Sequence, residues 1–392
     1  MRLKLFALIC TAFPGLQKLL LVAAGILFWG LEGAGTFSEE FAIVYFFSLF
    51  AALGYGAKLL KELPRLTPKE GVLYYRTAIG NCVLMVVLLI SIFYVLDLYF
   101  EWLHVEVTYH LFLFSVANAV YQLCRHAYLA RREYSQLFIV DTLFFLLSVM
   151  PIVFLDLQDY LKWVSISLCA MVLLGASYSA KGISFSMRSA FDKEPLQFSV
   201  NNIAGGGVGA LLPKVIAISW SKETAALFAF YYSILSVMNL LSRAFVNYKI
   251  PELSLLIHNG EFRKIFFINA KKFNLKIVIV SFFVGIFLYL PATFIVKVEY
   301  FSVYSIGFNF YCAIMALVVT GSLGLVDGAF LFLKGAQRHN IESNLMFFTI
   351  FVLISSAVPL LSLDVWVYLA LIAVASFLRV FYLAGCVIKY LE

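Results

Sequence analysis

Charged side chains are scarce in this chain: Asp, Glu, Lys and Arg make up 13% of its 392 residues, against roughly 25% in soluble domains. So few charges cannot cover a water-exposed surface at this length, which excludes a soluble enzyme. Paired cysteines are missing too. Cys10, Cys82, Cys124, Cys169, Cys312 and Cys386 each stand alone in or beside an apolar run, with no CxxC and no His at ligand spacing, so they read as small apolar packing residues and no metal site is expected. There is no nucleophile elbow, phosphate-cradling glycine loop, HExxH or paired-carboxylate motif, which leaves an enzyme reading without a motif and implies no cofactor. His104, His258 and His339 lie in or beside loops, and His110 and His126 near the ends of apolar runs; these positions suit solvated or interfacial side chains.

What the chain has in abundance is apolar surface. Apolar residues account for 63% of it, including 40 Phe and 22 Tyr, and the mean hydropathy is +0.95. The solvent for such a chain is a bilayer. Apolar runs such as 83–96 and 277–294 are continuous, unlike the alternating segments of about ten residues in outer-membrane barrels, so the class is an all-α polytopic membrane protein. Breaks marked by charge, Pro and Asn give about twelve spans: 9–34, 40–60, 77–97, 107–129, 135–155, 161–180, 198–220, 225–247, 274–296, 304–332, 343–361 and 365–387. Most match the ~20 residues needed to cross. The opening MRLKLFALICTAF has a basic head but no small-residue cleavage site before the next apolar stretch, and reads as part of the first span.

Basic residues gather in cytoplasmic loops of membrane proteins, so their distribution tests the orientation. With both termini in the cytoplasm, 22 of the 29 Lys and Arg fall inside, Lys162, Lys222 and Lys297 outside, and Lys18, Lys214, Arg243 and Arg379 within spans. Nine acids fall inside and eleven outside, with Asp141 and Asp327 in spans, giving faces of +13 and −8. All five tryptophans, Trp29, Trp102, Trp163, Trp220 and Trp366, sit at the outer ends of spans, where interfacial anchors belong. The longest stretches between spans, 61–76, 181–197 and 248–273, are cytoplasmic. Outer loops are nearly absent, which leaves no room for the acid-bearing outer loop of an envelope glycosyltransferase or polymerase.

A faint repeat divides the chain. Ser38-Glu-Glu-Phe-Ala-Ile-Val-Tyr-Phe-Phe echoes Ser221-Lys-Glu-Thr-Ala-Ala-Leu-Phe-Ala-Phe at a spacing of 183 residues, each copy placed at the turn between the first two spans of its half. Both copies enter the membrane in the same sense, so the pseudo-symmetry axis runs along the membrane normal. The expected organisation is a six-helix lobe over 1–185, a cytoplasmic linker at 186–197 and a second six-helix lobe over 198–392.

Polar stripes on apolar helices are the features that point to function. Ser115, Asn118, Gln122 and Arg125 share one face of the fourth span, Ser236, Asn239, Arg243 and Asn247 one face of the eighth, and Tyr45, Ser48, Tyr55 and Lys58 more weakly one face of the second. They either hydrogen-bond between helices or line a wet cavity. Arg243 and Arg125 lie close enough to the cytoplasmic boundary to snorkel. Arg379, Lys214 and Lys18 lie deeper, where an unpaired charge costs at least about 2.5–3.5 kcal/mol. Asp327 and Asp141 are the acids available to them, and an Arg379–Asp327 pair is one structural solution. In the seventh span, Asn201-Asn202-Ile-Ala-Gly-Gly-Gly-Val-Gly-Ala-Leu-Leu-Pro213-Lys214 holds four Gly and a Pro within nine residues. This is either irregular backbone lining a cavity or a GxxxG packing seam at Gly205 and Gly209.

Taken together, the chain resembles the bacterial polysaccharide flippases of the multidrug/oligosaccharidyl-lipid/polysaccharide exporter superfamily. The resemblance rests on order along the whole chain: six plus six spans, a short acidic turn and then Leu53-Gly54-Tyr55-Gly56, Ala226-Leu-Phe-Ala-Phe-Tyr-Tyr-Ser233 in the eighth span, Pro251-Glu-Leu-Ser254 before a basic amphipathic segment, and Phe332-Leu-Lys-Gly335 with Arg338. Lipid II flippases carry fourteen spans, two more than fit here, and Lys61-Glu-Leu-Pro-Arg65 is not the loop signature of major-facilitator carriers. The resemblance implies MATE-like V-shaped lobes around a cationic cavity, in the bacterial inner membrane, with alternating access driven by H+ or Na+. The implied cargo is an undecaprenyl-pyrophosphate-linked oligosaccharide for O-antigen or capsule assembly, with a polysaccharide polymerase and chain-length regulator as further partners and no nucleic acid. Lys18, Lys214, Arg243, Arg379 and Arg125 are then the cavity cations for the pyrophosphate. Asp141, Asp327, Asn118, Gln122, Asn202 and Asn239 are the polar and coupling candidates. A MATE-like drug or metabolite exporter is the alternative carrier, though a cation exporter favours acids in its cavity. A membrane enzyme of glycan assembly is the alternative of another class, with Glu32, Glu39 and Glu40 as the nearest approach to an outer acid cluster.

The topology has a direct test. Single cysteines introduced at Asp159 and Asn259 of a cysteine-free chain should differ in intact spheroplasts, position 159 reacting with an impermeant thiol reagent and position 259 protected.

Overall fold

The structure, a computed structural model, describes residues 2–63, 66–100, 109–131, 133–179, 193–258, 264–300 and 307–391. Among these residues the regular structure is helical throughout. The helices are α1 (Arg2–Glu62), α2 (Pro68–Phe100), α3 (Tyr109–Arg131), α4 (Tyr134–Val149), α5 (Leu157–Ser179), α6 (Lys193–Ser219), α7 (Lys222–His258), α8 (Lys264–Tyr300), α9 (Phe308–Leu323), α10 (Leu325–Leu333), α11 (Gln337–Leu361) and α12 (Val365–Leu391). A 3-10 turn at Met150–Val153 extends α4. Eight segments of the described residues are long and apolar enough to cross a membrane. The polar stripes of α3 and α7 lower their hydropathy, yet α3 at 23 residues still spans about 34 Å.

α1 contains both of the first two expected spans. At Gly30 the backbone takes φ 71° and ψ −178°, a conformation open to glycine and strained for other residues. The chain folds back there: a Cβ on Gly25 would lie 3.5 Å from the Cβ of Ala34, whereas a straight helix separates these positions by about 13 Å. The sequence places the reversal in an acidic turn at Ser38–Glu40, but those residues are helical. Acidity marks a polar environment, while only glycine supplies the φ needed to turn. The second copy of the repeat does occupy a turn. Ser221 precedes α7 and its Oγ accepts the Thr224 N–H at 3.1 Å, an N-cap that ends the orphan donors of the first turn. The two copies therefore hold different local positions.

The Gly-rich seventh span is a continuous helix with Pro213 inside it. A Cβ on Gly207 would meet the Phe46 ring at 3.2 Å, so the small residues serve close packing of α6 along α1. The expected linker is shorter than 186–197, because residues 193–197 already belong to α6; residues 180–192 lie outside those described, as do Trp102 and His104.

By internal packing the chain forms two compact units, Met1–Leu227 and Phe228–Glu392. α6 falls in the first because it lies along α1. That unit is built on a continuous core including Phe47, Tyr75, Val86, Tyr121, Phe144 and Tyr160. In the second, Phe267, Phe330, Leu331, Leu383 and Val387 form a core where α8, α10 and α12 meet. Cys82, Cys124 and Cys386 are buried and unpaired, as packing residues should be.

Gly35 tolerates no side chain. A Cβ there would stand 2.0 Å from the Lys222 carbonyl oxygen and 2.5 Å from its carbon, and backbone atoms cannot turn aside as a side chain can. Gly35→Ala should therefore lower stability by about 1–3 kcal/mol, read as reduced thermal stability in detergent, while Gly71→Ala, which meets open space, should have a far smaller effect.

Candidate functional site

Three ion pairs engage Lys214, Asp141 and Asp327, half of the charges that the sequence places within spans. Arg125 on α3 meets Asp141 on α4: Nε lies 2.9 Å from Oδ1 and Nη2 3.1 Å from Oδ2. Tyr121, one turn earlier on α3, donates its hydroxyl to Oδ1. The Arg125 side chain is 9% exposed and Asp141 is fully buried, so two donors on one helix face satisfy a carboxylate that has no water. Gln122 completes the face, its Oε1 3.5 Å from Arg125 Nη1. Lys214 on α6 pairs with Glu39 on α1, at 5% and 15% side-chain exposure. Lys271 on α8 holds Asp327 of α10, with Nζ 2.9 and 3.0 Å from its two oxygens. The Arg379–Asp327 pair allowed by the sequence is not formed, because Lys271 occupies that carboxylate.

The stripes resolve into contacts between helices. Asn118 of α3 donates to Ser48 Oγ of α1 at 2.9 Å, and the Ser48 hydroxyl in turn donates a hydrogen bond to the Val44 carbonyl at 2.8 Å. Ser322 donates to Asn239, which joins α9 to α7, and Gln17 of α1 donates to Ser148 of α4 at 2.8 Å. Asn202 is half-buried on α6, and the side chain of Asn247 lies outside those described. For Asn118 and Asn239 the interhelical reading is the one formed.

Arg379 and Arg243, the two arginines that the sequence places within spans, have no carboxylate partner among the described residues. Arg379 lies mid-way along α12. It donates from Nη1 to Asn344 Oδ1 of α11 at 3.2 Å, its guanidinium carbon sits 5.1 Å from the Phe347 ring centroid, and its buried Nε has no partner. Tyr232 and Arg243 of α7 lie within electrostatic range of it, and Arg243 is exposed. An amide oxygen and an aromatic face stabilise a guanidinium without neutralising it, so this corner of α7, α11 and α12 keeps two positive charges. Asn344 and Phe347 were not legible beforehand, since nothing in a sequence registers α11 against α12. In the first unit Lys18 sits 6.0 Å from the Phe41 and 5.9 Å from the Tyr45 centroid.

The Arg125–Asp141 pair generates a stability test. Arg125→Ala leaves a fully buried carboxylate and should cost about 3–5 kcal/mol, whereas Arg125→Met with Asp141→Leu should recover most of it. Equilibrium unfolding in mixed micelles measures both, and an Arg125→Ala variant as stable as the parent would mean that water reaches Asp141.

No protein-family profile matches the chain and no curated protein matches it by sequence. Solved structures do match it over nearly its whole length. A multidrug resistance MATE family transporter of the MOP superfamily, in an inward-facing conformation, aligns with 96% of this chain and 95% of its own at 12% identity and a TM-score of 0.67. A MATE protein in a straight conformation aligns with 100% of this chain and 95% of its own, at 14% identity and TM-score 0.62. A MOP superfamily transporter from Pyrococcus furiosus, described as having a binding pocket of reverse polarity that suggests a different function, aligns with 99% and 94%, at 12% identity and TM-score 0.57. At these identities the likeness is one of fold, and the fold of this chain is the twelve-helix fold of MATE-type transporters.

Proposed function

We propose that the protein is a carrier, not an enzyme, and that it flips an undecaprenyl-pyrophosphate-linked oligosaccharide from the inner to the outer leaflet of a bacterial inner membrane for O-antigen or capsule assembly. The fold supports the first half, since the matching structures are transporters. One observation carries the second: the buried Arg379, with Arg243 in electrostatic range, has an amide and a ring but no carboxylate as partner among the described residues. A buried guanidinium with a second one in electrostatic range is unfavourable until an anion joins it, and the planar donor fork of Arg suits phosphate oxygens. Lys18, over the Phe41 and Tyr45 rings, is a further cavity cation in this reading. Lys214 and Arg125 are engaged by Glu39 and Asp141, which makes them holders of helices before binders of cargo. Coupling to H+ or Na+, two six-helix lobes, cytoplasmic termini, and a polymerase and chain-length regulator as partners belong to the same reading.

A drug or metabolite exporter is the second reading. It draws on the multidrug description of one structural neighbour, and the reverse-polarity description of another indicates that pocket charge differs among proteins of this fold.

Replacing Arg379 separates the two. In cells lacking the native protein, Arg379→Ala should abolish surface polysaccharide and leave lipid-linked units on the inner leaflet, while protein level stays near normal. Loss of one charge-assisted contact of about 1.5–3 kcal/mol corresponds to roughly a ten- to hundredfold loss of transport. Arg379→Lys should keep part of the activity, as the charge survives without the fork. Normal polysaccharide in the null strain, together with increased sensitivity to cationic dyes, would favour the exporter instead.

A further inference from the structure

Lys271 and Lys272 are chain neighbours on α8 with opposite surroundings. Lys271 turns inward and holds Asp327, whereas Lys272 is exposed. Successive residues of a helix are rotated by about 100°, so the buried Ala270, Asn274, Val278 and Ser281 mark the face of α8 that packs into its unit. Lys272 and Lys276, one turn apart and both exposed, stand on the opposite face. Neither makes an ion pair or a hydrogen bond among the described residues. Phe283 and Phe287 continue this outward face at 56% and 75% exposure, and Ile279 flanks it at 47%. A strip so apolar and so open has hydrocarbon as its natural solvent.

The outward face therefore carries two cations at one end and apolar surface beyond them. Each Cα–Cβ bond of a helix tilts toward its N-terminus, so both ammonium groups reach back from the strip toward the membrane surface at which α8 begins. That surface is the cytoplasmic one in the orientation read from the basic residues. From Lys276 to Leu290, which is 71% exposed, the helix rises about 21 Å, more than the ~15 Å depth of one leaflet of hydrocarbon. Lys272 and Lys276 are about 6 Å apart along the axis, close enough to share one phosphate. We propose that these two lysines bind the phosphate of an anionic glycerophospholipid of that leaflet, with an acyl chain lying along Ile279, Phe283 and Phe287. A zwitterionic headgroup gains less, because it brings its own cation to two lysines that no carboxylate offsets. The occupant is a resident lipid and not the cargo proposed above: this face is turned away from the core in which α8 meets α10 and α12, the helix that carries Arg379.

The full chain, purified in detergent and titrated with phosphatidylglycerol or phosphatidylcholine in mixed micelles, tests the assignment by native mass spectrometry and thermal unfolding. A basic side chain beside an anionic headgroup is worth about a fivefold preference, so two should retain phosphatidylglycerol roughly twentyfold over phosphatidylcholine. Lys272→Gln with Lys276→Gln should abolish that preference and leave the lipid-free unfolding temperature unchanged, since both side chains are exposed. Lys272→Arg with Lys276→Arg should keep it. Lys264→Gln with Lys389→Gln removes as much charge from other exposed positions, and should also keep it. Equal retention of the two lipids by the parent chain would overturn the proposal, as would the same loss in both Gln pairs, which would point to net charge and not to a site. Lysine-dependent retention of undecaprenyl pyrophosphate above that of phosphatidylglycerol would overturn it too, by making this a cargo site.

Discussion

A charge inside hydrocarbon needs a countercharge, a shell of hydrogen bonds or a path to water, and this requirement organises both units of the molecule. Arg125–Asp141 joins α3 to α4, Lys214–Glu39 joins α6 to α1, and Lys271–Asp327 joins α8 to α10. Such pairs add little net stability compared with well-packed apolar replacements. Their effect is on specificity, because any other register of the helices strands a charge. The interhelical bonds Asn118–Ser48, Asn239–Ser322 and Gln17–Ser148 act in the same way with smaller energies.

These pairings depend on close helix approach, and glycine provides it. The reversal at Gly30 lays the two halves of α1 together, and the bare Cα of Gly35 meets the Lys222 carbonyl. Glu39 lies one turn beyond that contact, facing Lys214 of α6. Gly207 lets α6 settle on the Phe46 ring. The backbone geometry thus precedes the electrostatics: a bulkier residue at Gly35 would collide with the Lys222 carbonyl and disturb the acid–base register beside it.

Against this background the exceptions carry the functional argument. Where other buried charges have opposite partners, Arg379 has an amide, a ring and a second cation. A structural role is poorly served by that arrangement, since it leaves the guanidinium charge in place. Under the proposed flippase reading, a passing anion would supply what the helices withhold, and because a cargo must leave again, partial compensation would suit it better than a tight ion pair.

The class was legible from composition alone. Runs of about twenty apolar residues in a chain with 13% charge leave helices in a bilayer as the one solution, since every backbone group must bond within its own segment. The breaks between most spans were legible from charge and Pro, and Lys18, Lys214, Arg243 and Arg379 were visible as charges in apolar runs. Their partners were not. Glu39 read as a turn residue because acidity and glycine-dependent reversal look alike along a chain, until Gly30 is seen to hold the φ that the turn requires. Lys271 read as one more cytoplasmic lysine, and Asn344 as nothing in particular, because hydrophobic periodicity fixes which face of a helix is buried but leaves rotation and register against its neighbours undetermined. Packing decides those, and with them which charges are neutralised in place and which stay available to a ligand.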